Sequence, residues 1–449
     1  MPSHDDLYCA VKIELRKLTL RQVMAIVVFV TTYGSSTLGL ALVIDAIRVD
    51  SLAQGFCDLL EEYTFGNPIE WNGVDDPEDY CQNEPRLGTN CYVNGDPTLN
   101  GSAAVPAAFI GFEYTKSGNG ANYSTYPPTA GNAGLPDMLA NGGEVGATWG
   151  VSWDRKSESI FTSSVLKRHN GYGDLGAGGI YRITWPEGGN ATPSDFFDLD
   201  ACTNLGAIVD NTSRNLPASR SGANEDALAY SAVGKQGLGD LDISTDGTEL
   251  WTVNLNTKQL LRIQIRNNAD GNIQTPDCND VSTFNIPTPC GDNTRPFAVK
   301  YYRERVYVGI ACQDGSTAFA YEFNPNNGNF QQVLNFPLNY PNKGCAKGSN
   351  QGCTWNAWSD TFQDEPAGGF VTFPQAMFTD IEFDVDGSMI IGLSDRLGFQ
   401  TGYQNNYGGN LRSGLVSGDI LYAYNDNGTL VIEQNGDIVR ADGSVVRSG

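Results

Sequence analysis

A strand, a tight turn and a return strand recur in the same order along this chain, and this recurrence restricts the fold more than any other feature. The clearest example is Met377–Tyr403, MFTDIEFDVDGSMIIGLSDRLGFQTGY. Apolar residues at 381, 383 and 385 alternate there with acids at 380, 382 and 384, which is the period of a half-buried strand. Asp386-Gly387 supplies the two-residue turn of a hairpin, since Gly tolerates positive φ. Ser388–Leu393 is the predicted return strand, and a polar loop follows it.

Similar blocks begin near residues 150, 239, 295 and 379, and each continues into a third strand. Repeated meanders of three or four strands are the signature of a β-propeller. We therefore predict an all-β chain that forms a propeller of about five to seven blades. Two degenerate blades are expected in the wide gaps, at 190–232 and 339–373. A β-sandwich is the alternative, but it predicts no recurrence of one block order.

The N-terminal segment differs from the rest because residues 22–44 carry no charged side chain and follow four basic residues. That length and that flanking charge favour a signal peptide or a retained signal anchor, with a buried apolar helix as a third interpretation. The predicted domains are this segment (1–49), an irregular Cys-rich neck pinned by disulfides (50–104), the propeller (105–430) and a polar tail or closing strand pair (431–449).

Charge and cysteine content indicate export. The formal charge of −24 is spread along the chain and argues against nucleic acid or anionic membrane as a partner. Nine cysteines follow the apolar segment, and close spacings suggest the pairs Cys81–Cys91, Cys278–Cys290 and Cys345–Cys353, one cysteine being left over. Five sequons offer glycan acceptors, at Asn100, Asn122, Asn190, Asn211 and Asn427.

The sequence contains little that indicates catalysis. No G-x-S-x-G or P-loop motif occurs, and His169 is the one histidine after the apolar segment. Calcium is the cofactor considered, because hard cations bind clustered carboxylate and carbonyl oxygens. One candidate set is a channel-lining group from different blades, Asp154, Asp242 and Asp380. The other is a loop set, Asn268, Asp270, Asn272 and Asp277. Solvated strand faces and ordinary turns are the alternative interpretations of these two sets.

Loop residues are the remaining candidates for binding. Arg168, Asp174, Asp395 and Arg396 lie in polar loops, where they either contact a ligand or lock the loops through ion pairs. Loop aromatics, Trp355 and Trp358 with Tyr403 and Tyr407, are expected to be exposed and to stack on sugar rings or a neighbouring subunit; a small satellite core is the alternative.

Several long motifs resemble a known family. In chain order they are LKRHNGYGDLGAGGIYRI, VGKQGLGDLDISTDGTELWTVN, RPFAVKYYRERVYVGIAC, VLNFPLNY and the Met377–Tyr403 stretch. They resemble a secreted propeller-like module that stands ahead of serine-aspartate-repeat-type B domains in large, mostly bacterial, cell-surface proteins. The resemblance covers a little over half of the chain and implies an extracellular or cell-surface role without established catalysis. No B-type repeats follow in this sequence.

Three functions follow as hypotheses. The first is an extracellular structural or adhesive protein whose loops bind glycans, matrix or copies of itself, with membrane contact only through the N-terminal segment. The second is a calcium-dependent propeller hydrolase of the lactonase kind. The third is a subunit of an extracellular filament. Whether the protein is an enzyme is left open, with the non-enzymatic hypothesis preferred.

Overall fold

The computed structural model describes residues 86–113, 136–268, 272–340, 354–363, 366–367, 370–384, 386–434, 437–439 and 443–447. The chain divides into two compact units. The larger comprises Asn90–Ile110 and Met138–Ser448, and the smaller comprises Met1–Thr89, Gly111–Asp137 and Gly449. The predicted N-terminal apolar segment lies outside the described residues. Among the residues that are described, no helix is both long and apolar enough to cross a bilayer.

Short strands are the main regular elements of the described chain, and three short helices lie between them. The strands are β1 (Arg86–Asn90), β2 (Ala107–Glu113), β3 (Asp137–Asn141), β4 (Thr148–Asp154), β5 (Ser159–Ser164), β6 (Gly179–Thr184), β7 (Thr192–Asp198), β8 (Leu238–Ile243), β9 (Glu249–Asn254), β10 (Gln259–Gln264), β11 (Val281–Asn285), β12 (Thr294–Tyr302), β13 (Arg305–Cys312), β14 (Thr317–Asn324), β15 (Asn329–Pro337), β16 (Pro366–Ala367), β17 (Phe370–Val371), β18 (Ala376–Phe383), β19 (Met389–Asp395), β20 (Asn405–Tyr407), β21 (Asn410–Gly414), β22 (Gly418–Asp426), β23 (Thr429–Ile432), β24 (Asp437–Val439) and β25 (Val445–Arg447). The helices are α1 (Gly142–Val145), α2 (Ala227–Ala232) and α3 (Arg396–Gln400).

Four of the sheets are four-stranded antiparallel meanders. Their strand orders are β4-β5-β6-β7, β8-β9-β10-β11, β12-β13-β14-β15 and β18-β19-β22-β23. Each one contains a block that the sequence predicts, so the all-β prediction is confirmed at this level. The first strand of every meander also carries a register shift against its second strand, which bends the strand and increases its twist. The four meanders are therefore variants of one structural unit.

Three smaller sheets complete the described structure. These are β1-β2-β3, the mixed sheet β16-β17-β21-β20, in which β17 runs parallel to β21, and the hairpin β24-β25.

The opening hairpin of the fourth meander forms as its alternating pattern predicts. Ile381 pairs with Ile391, and both are fully buried. The connection is longer than a two-residue turn, because the Asp384 N–H donates to the Ser388 carbonyl at 2.9 Å. Gly387 has φ of 82° within it, a conformation that a glycine adopts without strain.

The fourth strands of the first and second meanders, β7 and β11, are not predicted by the sequence. The prediction of a degenerate blade at 190–232 is wrong, because that region supplies β7 to the first meander and then runs through loops and α2. β11 also completes the second meander without having been predicted. Both strands are largely exposed or half-buried, so neither has the apolar alternation by which a strand is recognised.

Neighbouring meanders pack face to face with little space between them. A Cβ added to Gly309 in β13 would come within 2.5 Å of the Phe378 ring in β18. Trp251 in β9 is fully buried, with its ring 5.8 Å from that of Phe323 in β14. The hydrophobic core is thus formed between sheets, and each meander depends on its neighbour for burial.

Two disulfides join loops of the described chain. Cys202, which follows β7, bonds to Cys278, which precedes β11, and Cys290, which precedes β12, bonds to Cys312 at the end of β13. The predicted Cys278–Cys290 pair is therefore wrong, since each of the two residues meets a partner brought close by the fold and not by sequence spacing. Cys81, Cys345 and Cys353 lie outside the described residues, so the other two predicted pairs remain predictions.

Removing the longer-range disulfide is expected to cost more stability than removing the shorter one. Cys202 and Cys278 are 76 residues apart, and Cys290 and Cys312 are 22 apart. Because a crosslink restricts the unfolded chain in proportion to the logarithm of loop length, the double alanine variants should lose about 4.5 and about 3.5 kcal/mol respectively. Denaturant unfolding of both variants measures this order, and the reverse order would contradict the loop-length explanation.

Candidate functional site

A group of charged side chains lies where the first strands of the second, third and fourth meanders run side by side. Asp240 and Asp242 project from β8 towards β12 and accept hydrogen bonds from the backbone N–H groups of Val299 and Tyr301, at 3.2 and 2.8 Å. On β12, the Lys300 ammonium lies 3.5 Å from the Asp242 carboxylate. These contacts join two sheets through charged groups at their shared edge.

The fourth meander contributes two more carboxylates to this group. The Lys300 Nζ donates to Glu382 Oε1 of β18 at 2.8 Å, and Asp380 of the same strand interacts electrostatically with both Asp240 and Glu382. We call Asp240, Asp242, Lys300, Asp380 and Glu382 the inter-sheet charge cluster.

Burial and mutual repulsion shift the pKa values in the inter-sheet charge cluster. Burial and the neighbouring Glu382 carboxylate raise the pKa of Asp380 to about 7. Burial and the charge of Asp380 raise the pKa of Asp240 well above its usual range, and burial raises that of Asp242. Burial opposes the charge on Lys300, but the Asp242 and Glu382 carboxylates outweigh it and raise the pKa of this lysine. One fixed positive charge thus partly neutralises four acids.

The predicted channel-lining acids meet only in part. Asp242 and Asp380 belong to the inter-sheet charge cluster, whereas Asp154 at the end of β4 accepts hydrogen bonds from the backbone and hydroxyl of Ser157. Among the described residues, no three His, Cys, Asp or Glu side chains converge as metal ligands. Sequence reasoning missed Asp240 and Lys300. The signal that could have identified Asp240 is the alternation Asp240-x-Asp242, which repeats in β18 as Asp380-x-Glu382.

The predicted calcium loop is divided between two separate turns. Asn268 accepts a hydrogen bond from the Asn272 N–H at 2.9 Å, and Asp277 instead caps a short 3₁₀ turn by accepting from the Asn279 N–H at 2.7 Å. Asp270 lies outside the described residues.

Two arginines predicted for binding loops are buried and connect distant loops. Arg168 is fully buried. It donates to the backbone carbonyls of Glu225, Asp226, Gln400 and Asn406 at 2.7–3.2 Å. Its guanidinium also lies over the Phe362 ring, 4.9 Å from the centroid. The prediction that Arg168 is displayed to a ligand is wrong, because backbone carbonyls of residues 225–226, α3 and β20 already accept hydrogen bonds from it.

Arg396 connects the residue that follows α2 with the loop that contains Ser359. It is fully buried and donates to the carbonyls of Val233 at 3.0 Å and Ser359 at 2.7 Å, and to the Asp360 carboxylate at 3.2 Å. Asp395 is buried too and accepts three backbone N–H bonds, from Gln375, Leu397 and Ser417, while burial raises its pKa to about 7. The alternative interpretation, that these residues lock loops, is the closer one, although most of the acceptors are carbonyls and not acids. Asp174 is exposed.

The loop aromatics separate into buried and exposed residues. Trp355 and Trp358 are 4% and 7% exposed, and Tyr407 is 4% exposed. Trp358 donates its indole N–H to the Ala376 carbonyl at 2.9 Å and lies beneath the Arg396 guanidinium. These three side chains therefore belong to the core, and only Tyr403, at 68% exposed, is available to a partner.

A polar groove lies beside the Arg168 region. Residues 213–217, 223–228 and 406 line it, and its volume is about 640 Å³. At its base Arg214 and Asp226 form a fully buried ion pair at 2.7 Å, and Asp226 also accepts from the His169 N–H at 2.8 Å. We call this the loop groove. Sequence reasoning missed it, since its two main walls fall in the region expected to form a blade.

Two residues that line the loop groove have strained backbone. Asn215 and Asp226 have positive φ, of 51° and 38°. Such conformations cost free energy for residues other than glycine, and they cluster at functional sites more often than elsewhere. His169 is buried against Asn224, with its Nδ1 2.9 Å from the Asn224 side-chain oxygen, and burial lowers its pKa well below the usual range.

The sequons divide by exposure. Asn100, Asn190 and Asn427 are exposed and accessible. Asn211 is buried, and its amide donates to Asp96 at 2.9 Å and to the Tyr172 carbonyl at 3.0 Å, so the prediction of a glycan there is wrong. Asn122 lies outside the described residues.

Proteins similar to this chain include three Colossins of Dictyostelium discoideum. Colossin-D is 28% identical over 382 residues, which are 82% of this chain and 35% of Colossin-D. Colossin-B is 27% identical over 81% of this chain, and Colossin-A is 25% identical over 82%. The chain spans about a third of the length of Colossin-D, 9% of Colossin-B and 3% of Colossin-A. No family model matches the chain.

Two solved structures are similar at a low level. A putative 6-phosphogluconolactonase from Bacteroides uniformis has a TM-score of 0.32 and 11% identity, covering 81% of this chain and 88% of that one. An exo-beta-1,3-galactanase from Phanerochaete chrysosporium has a TM-score of 0.32 and 10% identity, covering 71% of this chain and 55% of that one. At these scores neither similarity supports a conclusion about activity or ligand.

Proposed function

We propose that this chain is a non-catalytic extracellular protein in which rigid sheets support loops that bind a partner. The single observation that carries this proposal is the disulfide between Cys202 and Cys278, which joins the first and second meanders. Structural disulfides form and persist in oxidising compartments and are rare in reducing ones. A second bridge within the third meander agrees with it.

The use of the charged side chains supports binding over catalysis. Arg168 and Arg396 donate to backbone carbonyls, Asp395 caps α3, and Lys300 partly neutralises the acids around it. A catalytic acid, base or nucleophile needs a side chain within reach of substrate. These groups instead fix the loops in place, which reduces the entropy lost when a loop binds a partner.

The arrangement of meanders supports a propeller as the finer description of the fold. The first strands β4, β8, β12 and β18 contact one another in chain order, as consecutive blades do around a common axis. We propose five to seven blades, as expected from the sequence, with the smaller sheets supplying those beyond the four meanders. The resemblance to a module of large cell-surface proteins is part of the same proposal.

Disulfide mapping of the protein from its native source tests the proposal of an extracellular location. Peptide mapping without reduction should recover the Cys202–Cys278 and Cys290–Cys312 peptides joined, from protein in the extracellular or cell-surface fraction. N-terminal sequencing and a size measurement of the same sample separate secreted, anchored and polymerised forms. Recovery of reduced thiols from a cytosolic fraction would sink the proposal.

Calcium-dependent hydrolysis is the second candidate, and the inter-sheet charge cluster is the observation that favours it. Four carboxyl groups are neighbours there, but among the described residues no three converge as metal ligands, and Lys300 already supplies a positive charge. Calcium at a hundredfold excess over its dissociation constant would stabilise a binding fold by about 2.7 kcal/mol. We expect the free energy of unfolding to be the same in calcium and in chelator. A higher value in calcium would favour the calcium-dependent hydrolase over the non-catalytic binding protein.

A further inference from the structure

The loop groove has the dimensions of a small-molecule site. Its volume of about 640 Å³ lies within the range of roughly 300–1,000 Å³ that is typical of ligand pockets. Two chain segments, 213–217 and 223–228, provide most of the lining, and Asn406 of β20 completes it. Arg168 fixes one of these segments and β20 by donating to the carbonyls of Glu225 and Asn406, so two half-buried hydrogen bonds hold the groove open.

The charges in the groove favour a neutral ligand. Arg214 and Asp226 neutralise each other at 2.7 Å, and the Glu225 carboxylate is itself 3.7 Å from the Arg168 guanidinium. No strong charge of either sign is left to attract an ion. The formal charge of −24 on the whole chain also disfavours phosphorylated, sulfated or acidic ligands.

Hydrogen-bonding groups in the groove suit a ligand with hydroxyls. Arg214 is buried and lines the groove, and its Nη1, a nitrogen that is itself buried, has no acceptor among the described residues. The backbone N–H and carbonyl of Asn406 are engaged by Asn405 and Arg168, so the side-chain amide is its group for a ligand. An amide offers a donor and an acceptor together, which matches hydroxyls that both donate and accept.

Apolar surface adjoins these polar groups. Leu228 in the groove lining is 56% exposed, and Leu411, which pairs with Asn406, is 53% exposed. A pyranose presents hydroxyls at its edge and C–H groups on its face, so it complements both kinds of surface. We propose that the loop groove binds a neutral saccharide. This inference rests on the proposed function, because it names the partner class of a non-catalytic binding loop.

Ligand-observed NMR on the full chain with its disulfides intact tests the inference. The probes are glucose, galactose, mannose, N-acetylglucosamine and their disaccharides, with a sulfated disaccharide for comparison. We expect at least one neutral probe to bind and the sulfated one to bind more weakly. Asn406→Ala should weaken binding roughly fivefold to tenfold, through loss of one or two hydrogen bonds.

Asn410→Ala is the matched control, because Asn410 is an exposed amide in the adjacent strand β21 and does not line the groove. It should bind as tightly as the unmodified chain, and equal melting temperatures establish that both variants fold. Three results overturn the inference: no neutral probe binds, the sulfated probe binds best, or both variants lose affinity equally. Each leaves the extracellular proposal intact, since that depends on disulfides and location.

Discussion

Replacing Arg396 with methionine is expected to lower the free energy of unfolding by about 4–6 kcal/mol. The Arg396 guanidinium donates to the carbonyls of Val233, Ser231 and Ser359 at 2.7–3.0 Å, and its side chain is fully buried. Methionine has a similar length but no donor, so all three carbonyls lose this partner, and the Val233 carbonyl lies in a fully buried position. Each unsatisfied buried group costs about 1–3 kcal/mol. Denaturant unfolding monitored by tryptophan fluorescence measures the loss.

Arg305→Met is the control for this experiment. Arg305 forms an ion pair with Glu322 at 3.4 Å in which both side chains are about a third exposed. Solvent screens such a pair, and its loss should cost less than about 1 kcal/mol. If the two variants lose similar amounts, the hydrogen bonds of Arg396 do not hold the loops together, and the proposed rigid binding surface loses its physical basis.

The sequence was sufficient for the strands whose side chains alternate. In β8 and β18 apolar residues alternate with acids, so a local pattern predicts each strand, although four consecutive residues of each are buried. β7 and β11 escaped prediction because they lie at the outer edges of their sheets, where both faces are partly exposed and no alternation is needed. A local pattern thus predicts a strand where apolar and polar residues alternate along it, but it does not predict which of the polar residues are buried.

The site depends on residues that are distant in sequence, and local reasoning could not assemble it. Arg168 looks like a solvated loop residue, yet its acceptors lie 57 to 238 residues away. Lys300 follows an apolar run in β12 and is placed between acids only by the neighbouring sheets. The cysteines show the same limit, since Cys278 and Cys290 are close in sequence but bond to different partners.

Asp380→Asn is expected to stabilise the protein at pH 8 by about 2 kcal/mol and to have little effect near pH 4. Burial and Glu382 raise the pKa of Asp380 to about 7, whereas an unfolded aspartate has a pKa of about 3.9. The folded state therefore binds this proton more tightly, and the unmodified protein loses stability as pH rises from about 4 through 7. A shift of this size corresponds to about 4 kcal/mol, which partial solvent exposure reduces by about half.

The difference between the two proteins excludes titrating residues outside the inter-sheet charge cluster, and it includes the response of Asp240, whose pKa the Asp380 charge raises. Asparagine keeps an acceptor for the Ile381 N–H while carrying no charge, so the variant should be more stable than the unmodified chain by a margin that grows with pH. Asp314→Asn, which changes an exposed turn carboxylate, should leave a small and constant difference. A pH-independent effect of Asp380→Asn would mean that the ionised carboxylate is fully compensated by Lys300. Growth of the margin up to pH 8 would instead show that one lysine is too little positive charge for four acids, and that the three sheets meet at an electrostatically strained edge.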